Sequence, residues 1–160
     1  HRVELALAGG LKDWEGEPGS RLALIILLDQ FTRNIFRGTP RAFAGDPRAV
    51  KLARRGQVMH IFKGLPLIQR VFALMPLEHS ELLSDQALCV KEMARLYQLA
   101  PDEDKPRFQS FVEYAQEHKA IIERFGRFPH RNEALSRVST EDERRFLVGT
   151  KTYGQSKSVT

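Results

Sequence analysis

An apolar stripe of helical period constrains the second half of this chain more than any other feature. Leu83, Ala87, Val90, Ala94 and Tyr97 recur at spacings of four and three, and Leu82, Cys89, Met93, Leu96 and Ala100 widen the stripe. Residues three and four apart share one face of an α-helix, whereas a half-buried strand alternates every second residue. The stripe therefore predicts a long helix over 80–100. A second seam of Phe108, Phe111, Ala115, His118, Ile122 and Phe125 predicts another over 107–125, ended by Gly126. Only an acidic turn at 101–106 separates them, so an antiparallel hairpin is expected. Phe111 and Ala115 should then meet Val90, Met93 or Tyr97.

The same period extends upstream. Residues 2–8 look like the tail of a helix closed by Gly9 and Gly10, and 12–19 reads as a loop with Trp14 and Pro18. Ser20 is placed to cap a helix over 21–36 that Gly38 and Pro40 end. In Asp46-Pro47 the Asp can cap and the Pro needs no amide partner in a first turn, so a helix is expected to about residue 62. A shorter helix over 65–75 is interrupted by Pro76. Thr140-Glu141-Asp142-Glu143 has the capping-box pattern and opens a last short helix. No strand pattern and no Asn-Gly or Asp-Gly turn occurs. A repeat of 34 residues is not found, beyond a faint echo between 33–38 and 123–128. The expectation is one all-α domain over 1–148 and a flexible polar tail over 149–160.

Composition narrows the classes. A chain of 160 residues suits one domain, and 42% apolar with 28% charged residues excludes a disordered or collagen-like chain. The net charge of +5 is only moderately basic, and the long helices carry acids throughout, which disfavours nucleic acid. The single cysteine, Cys89, excludes an internal disulfide and a multi-cysteine zinc site and points to a reducing, cytoplasmic setting. The longest apolar run, 22–28, has seven residues, against about 20 for a membrane helix. The first residue is His1, read as a truncated start. Val3, Leu5 and Leu7 would then need a cover, which leaves a homo-oligomer open.

Three polar segments stand out. Asp29, Gln30, Arg33, Asn34 and Arg37 fall within an arc of about 140° on a helix, with Leu24, Leu28, Phe31 and Ile35 opposite. The apolar run just before them says that this helix is buried nearly all round, so its polar groups need partners. They form either a structural network or a ligand site. The second segment holds Arg124, Arg127, His130, Arg131 and Asn132, with Arg137 close behind and Glu133 as its one acid. Arg and His around a short helix start suit an anion, whereas the plain alternative is Arg bracing loop carbonyls. The third segment holds Glu78, His79, Ser80 and Glu81, with Asp85 and Gln86 following. It lacks the Glu-x-x-His pairs of a dimetal bundle, so no metal and no cofactor is expected. Neighbouring side chains on a helix diverge by about 100°, which makes Ser80 and His79 poor partners for nucleophilic catalysis. His118, on an apolar seam, reads as a core histidine satisfied by one buried hydrogen bond, and Cys89 as inert packing.

These same residues carry a resemblance. Leu28-Asp29-Gln30-Phe31, Arg33-Asn34-Ile35, Arg37-Gly38-Thr39 and Arg41-Ala42-Phe43, then Pro76-Leu77-Glu78-His79-Ser80-Glu81, then Arg124-Phe125-Gly126-Arg127-Phe128-Pro129-His130-Arg131-Asn132, resemble in order the signatures of the bacterial family catalogued as domain of unknown function 924. The likeness covers about 22–147. It implies a tetratricopeptide-like helical fold and no established activity. Family members begin with an aromatic-rich segment ahead of what is here His1.

Two functional classes follow. One is a helical-repeat module that binds a peptide or protein partner on a concave surface, which fold analogy favours. The other is a site or enzyme for a phosphate or carboxylate ligand. There Asp29, Gln30, Arg33, Asn34, Arg37, Glu78, Arg124, Arg127, Arg131 and Asn132 bind, and His79, Glu81 and His130 are catalytic candidates for proton transfer. The discriminating expectation is that the Asp29–Arg37 face and the 124–132 loop meet, with Glu78, Glu81 and Asp85 as further acids. Arg127 or Arg131 is then left to hold an anion.

Overall fold

The computed structural model describes residues 1–148, and these contain helices and turns but no strand. The polar tail expected over 149–160 lies outside the described residues. Helix α1 (Arg2–Leu7) leads through a 3-10 turn to α2 (Pro18–Ile26), a π-helical turn (Leu27–Phe31) and α3 (Thr32–Ile35). Then come α4 (Asp46–Val58), α5 (Leu67–Glu78), α6 (Leu83–Leu99), α7 (Lys105–Phe125) and α8 (Glu141–Leu147). No helix of the described residues is long and apolar enough to cross a membrane.

The most extensive helix pair is α6 with α7, joined through one 3-10 turn at Asp102–Asp104. So short a link reverses the chain. Helix α5 packs on the other side of α6 and also touches α2, α4 and α7. The main core runs from Ala6 and Leu24 through Leu52 and Leu74 to Met93, Leu96 and Phe108. A smaller cluster of Ile121, Ile122 and Phe128 sits under the C-terminal segment.

Several expectations are corrected. The buried face of α6 is Asp85, Gln86, Cys89, Met93 and Leu96, so the inward seam is the one that had only widened the stripe. Leu83 is 48% exposed. The reason lies at the corner before α6, where Gln86 Nε2 donates to the carbonyls of Glu78 (2.6 Å) and Ser80 (2.7 Å). Pairing those two carbonyls turns Gln86 inward and Leu83 out. Helix α2 starts at Pro18 rather than after Ser20, whose hydroxyl donates to Trp14 O (3.0 Å). Asp46 begins α4 but makes no cap. Pro76 does not interrupt α5, which runs on to Glu78. The capping box at Thr140 and Glu143 is present.

Candidate functional site

The site begins with a departure from α-helical winding. Between Leu27 and Phe31 the chain makes a π turn, wider than the 3.6 residues of an α-turn. A wider turn keeps positions four apart on one face. Leu24, Leu28 and Thr32 accordingly stay inside, as do Ile25 and Asp29, while Phe31 (48% exposed) and Ile35 (57%) swing out. The second half of the expected apolar face, Phe31 and Ile35, is thus turned to solvent, and Asp29 of its polar neighbour is turned in. Carbonyls of the wide turn find side-chain donors. Thr32 Oγ1 donates to Leu28 O (2.7 Å), Arg33 Nη1 to Asp29 O (2.9 Å) and Asn34 Nδ2 to Gln30 O (2.8 Å).

Asp29, 1% exposed, is the hub. Its carboxylate lies 3.0 Å from Arg33 Nη1 and 2.8 Å from His79 Nδ1, and it accepts from Gln30 Nε2. Arg33 also grips Asp46 with both terminal nitrogens (2.7 and 2.9 Å). Gly45 permits this approach, because a Cβ there would lie 2.1 Å from Leu28 O. The 124–132 segment reaches the same place. Arg131 Nη2 donates to His79 O (2.8 Å), Nη1 stands 3.6 Å from Asp46 Oδ2, and the guanidinium lies over the rings of Phe43 and Phe128. The Nε of Arg131 has no hydrogen-bond partner among the described residues. Glu81 anchors this loop, accepting from Phe128 N (2.8 Å) and from Arg137 Nη1 (2.8 Å) and Nη2 (3.0 Å).

These groups close one end of a cleft of about 1020 Å³. Its walls are Ile68, Val71, Phe72 and Met75 of α5 and Phe111 and Tyr114 of α7, with Met93 of α6 between them. Arg33, Glu78, His79, His118, His130 and Arg131 form the polar end, and Arg107 and Ser110 lie along α7 toward its start. A second cavity of about 420 Å³ shares Phe43, His79 and Arg131 with the cleft and adds Asp46, Arg54, Ser80 and Glu81.

Burial sets the protonation states. It pushes Asp29 up, but the charge of Arg33 and the hydrogen bonds from His79 and Gln30 outweigh it and hold the carboxyl well below the usual range. Asp29 is therefore a carboxylate and can only accept, so His79 donates its Nδ1–H and offers Nε2 as an acceptor. Burial, with Arg33 and Arg131 nearby, lowers the His79 pKa against the pull of Asp29, leaving a neutral imidazole. Burial and the Asp29 charge raise Glu78 to about 8. Burial and neighbouring cations lower His118 to about 4 and His130 to about 3. Burial and then Arg33 bring Arg131 down to about 10.

Asp29, Arg33, Glu78, His79, His130 and Arg131 come together, drawn from all three sequence segments. Gln30 touches the site through Asp29, and Glu81 is engaged by Arg137 and a backbone amide. The other candidates lie elsewhere. Asn34 and Arg37 bond to each other on the surface, and Arg124 lies exposed over Phe125. Arg127 pairs with Glu143 at 2.6 Å, and Asn132 bonds Ser139, Glu143 and Arg137. Asp85 pairs with Arg54. His118 makes the anticipated hydrogen bond, Nδ1 to Tyr114 O (2.8 Å), and in addition lines the cleft. Sequence reasoning missed Asp46, read as a cap, and the α5 and α7 walls, read as core. The surplus of Arg over local acids was the signal for a distant acid such as Asp46.

The family model for bacterial proteins of unknown function DUF924 matches residues 1–150. A solved structure from Agrobacterium tumefaciens, the protein of unknown function ATU0120, is 36% identical with a TM-score of 0.77. That match covers 91% of this chain and 77% of the other. No curated protein matches the chain. With its segments matched in order and its fold shared with that structure, the chain belongs to the bacterial family of unknown function DUF924.

Proposed function

We propose that the protein binds a small amphipathic carboxylate in the cleft between α5 and α7. The observation that carries this reading is the cleft itself, with apolar walls ending at the buried Arg131 guanidinium, whose Nε has no hydrogen-bond partner among the described residues. Ligand sites commonly combine an apolar body with a few convergent polar groups. The charge count selects the head group. Asp29 and Asp46 match Arg33 and Arg131 one for one, and Glu78 is protonated at neutral pH. Such a cluster offers hydrogen bonds more than net charge, which suits a carboxylate and disfavours a phosphate dianion. The length selects the tail. From Ile68 to His79 the helix rises about 16 Å, the reach of an extended chain of about twelve carbons. A peptide module would present its polar residues on an open concave surface, whereas Arg33, Glu78, His79, His130 and Arg131 all line one cleft.

Calorimetric titration with straight-chain carboxylates from six to sixteen carbons tests the reading. Affinity should rise by about 0.8 kcal/mol per methylene and level off near twelve carbons. Inorganic phosphate should give no heat. A response independent of chain length, or none at all, defeats the proposal.

A further inference from the structure

His79 and Arg131, with Phe43, form the partition between two cavities, one largely apolar and about 1020 Å³, the other about 420 Å³ with polar and apolar side chains mixed in its walls. A molecule lying across that partition would keep an acyl chain on one side and a polar group on the other. Its bond between the two would sit beside an imidazole whose Nδ1 is held by a buried carboxylate at 2.8 Å. A buried Asp that fixes the tautomer of a His is the arrangement by which imidazole acts as a general base. We propose that the protein is a hydrolase for acyl esters of polar alcohols, with His79 as general base, the acyl chain in the cleft and the alcohol portion in the second cavity.

The step balances with water as the only co-reactant. His79 Nε2 takes a proton from water as the water oxygen bonds to the acyl carbon. The carbonyl electron pair moves to its oxygen, which the Arg131 guanidinium at the cleft wall stabilises by its charge. When the carbon–oxygen bond to the alcohol breaks, its electron pair leaves with the alcohol oxygen, and that oxygen receives the proton held by His79. Ester and water become carboxylic acid and alcohol. Asp29 acts as a positioning residue, holding the Nδ1–H and stabilising the transient imidazolium. The second cavity supplies what an alcohol portion needs. Asp46, Arg54, Ser80 and Glu81 line it beside Leu82 and Leu135.

This inference rests on the carboxylate-binding reading, and the experiment keeps the two apart. Glycerol monododecanoate is the substrate, with released dodecanoate measured, and dodecanoate binding is titrated separately. Turnover by the wild-type chain is expected. His79→Gln should lower kcat at least 100-fold while the dodecanoate Kd stays within threefold. Asp29→Asn should alter the pH profile of kcat, which a merely structural role would not do. Leu82→Trp alters an exposed side chain that lines the second cavity. It should raise KM for the glycerol ester at least fivefold and leave dodecanoate binding unchanged. Dodecanoate binding without ester turnover overturns the hydrolase and leaves the binding reading standing. Turnover that survives His79→Gln overturns the assignment of the base. Neither binding nor turnover overturns both readings together.

Discussion

Glu78 and the cleft histidines carry opposite protonation penalties, and together they set how stability follows pH. The folded Glu78 has a pKa of about 8, above the value of an unfolded Glu. The folded state thus keeps a proton that the unfolded state releases. Its stabilisation is complete below the unfolded pKa and is lost as pH rises toward 8. His118 and His130, at about 4 and about 3, lie below an unfolded His, so their contribution is complete above pH 6.5 and is lost as pH falls. Urea midpoints should therefore peak between about pH 5 and 7. Glu78→Gln should raise stability by roughly 2–4 kcal/mol at pH 8 and by little at pH 5. Equal effects at both values would show that Glu78 is already ionised in the fold. Asp46 is the second test at this scale. It holds Arg33 in a two-point grip and lies 3.6 Å from Arg131, so Asp46→Asn leaves two buried cations sharing Asp29. A cost of about 3–5 kcal/mol is expected from denaturant melts, against less than about 0.5 kcal/mol for the exposed Asp142→Asn. A cost below about 1 kcal/mol would mean that Arg33 and Arg131 do not depend on Asp46.

Elements were legible where their pattern was local. The α6 and α7 helices, the Thr140 capping box and the glycine that ends α7 all follow from spacing and end chemistry. What escaped was rotation. Nothing in the spacing of Leu24, Leu28, Phe31 and Ile35 announces a π turn, and the turn packs against α4, a contact that no local pattern encodes. The α6 seam went the same way, since its orientation is decided by Gln86 bonding back to the 78–80 corner. Gly45 is where tertiary contact governs winding. An added Cβ would lie 2.1 Å from Leu28 O and 2.9 Å from Leu28 Cα, backbone atoms that cannot swing aside. Gly45→Ala should cost about 2–4 kcal/mol by forcing α4 away from the π turn. Gly64 has nothing within 4 Å of an added Cβ, so Gly64→Ala should be neutral or stabilising by up to about 1 kcal/mol. If both variants melt together, the close approach at Gly45 does not hold the turn.

Across the whole molecule, the three polar segments could be picked out of the sequence because two hold more Arg than nearby acids and the third, 78–86, holds acids with no Lys or Arg. The cavity they close could not, because Val71, Met75, Met93 and Phe111 are as apolar as any core residue and differ only in facing a void. A helix array that served only as a scaffold would fill such a space, since interiors pack about as tightly as organic crystals. An occupant bridging α5 and α7 should therefore tie the array together. Dodecanoate at one hundred times its Kd should stabilise the fold by about 2.7 kcal/mol and raise Tm by about 8 °C. Hydrogen exchange should slow most in α5 and α7, whose walls it joins, and much less in α8, which lines no part of the cleft and meets it only through the 129–131 turn. Protection spread evenly over all helices would indicate nonspecific binding of the acid, and protection centred on α8 would place the ligand elsewhere.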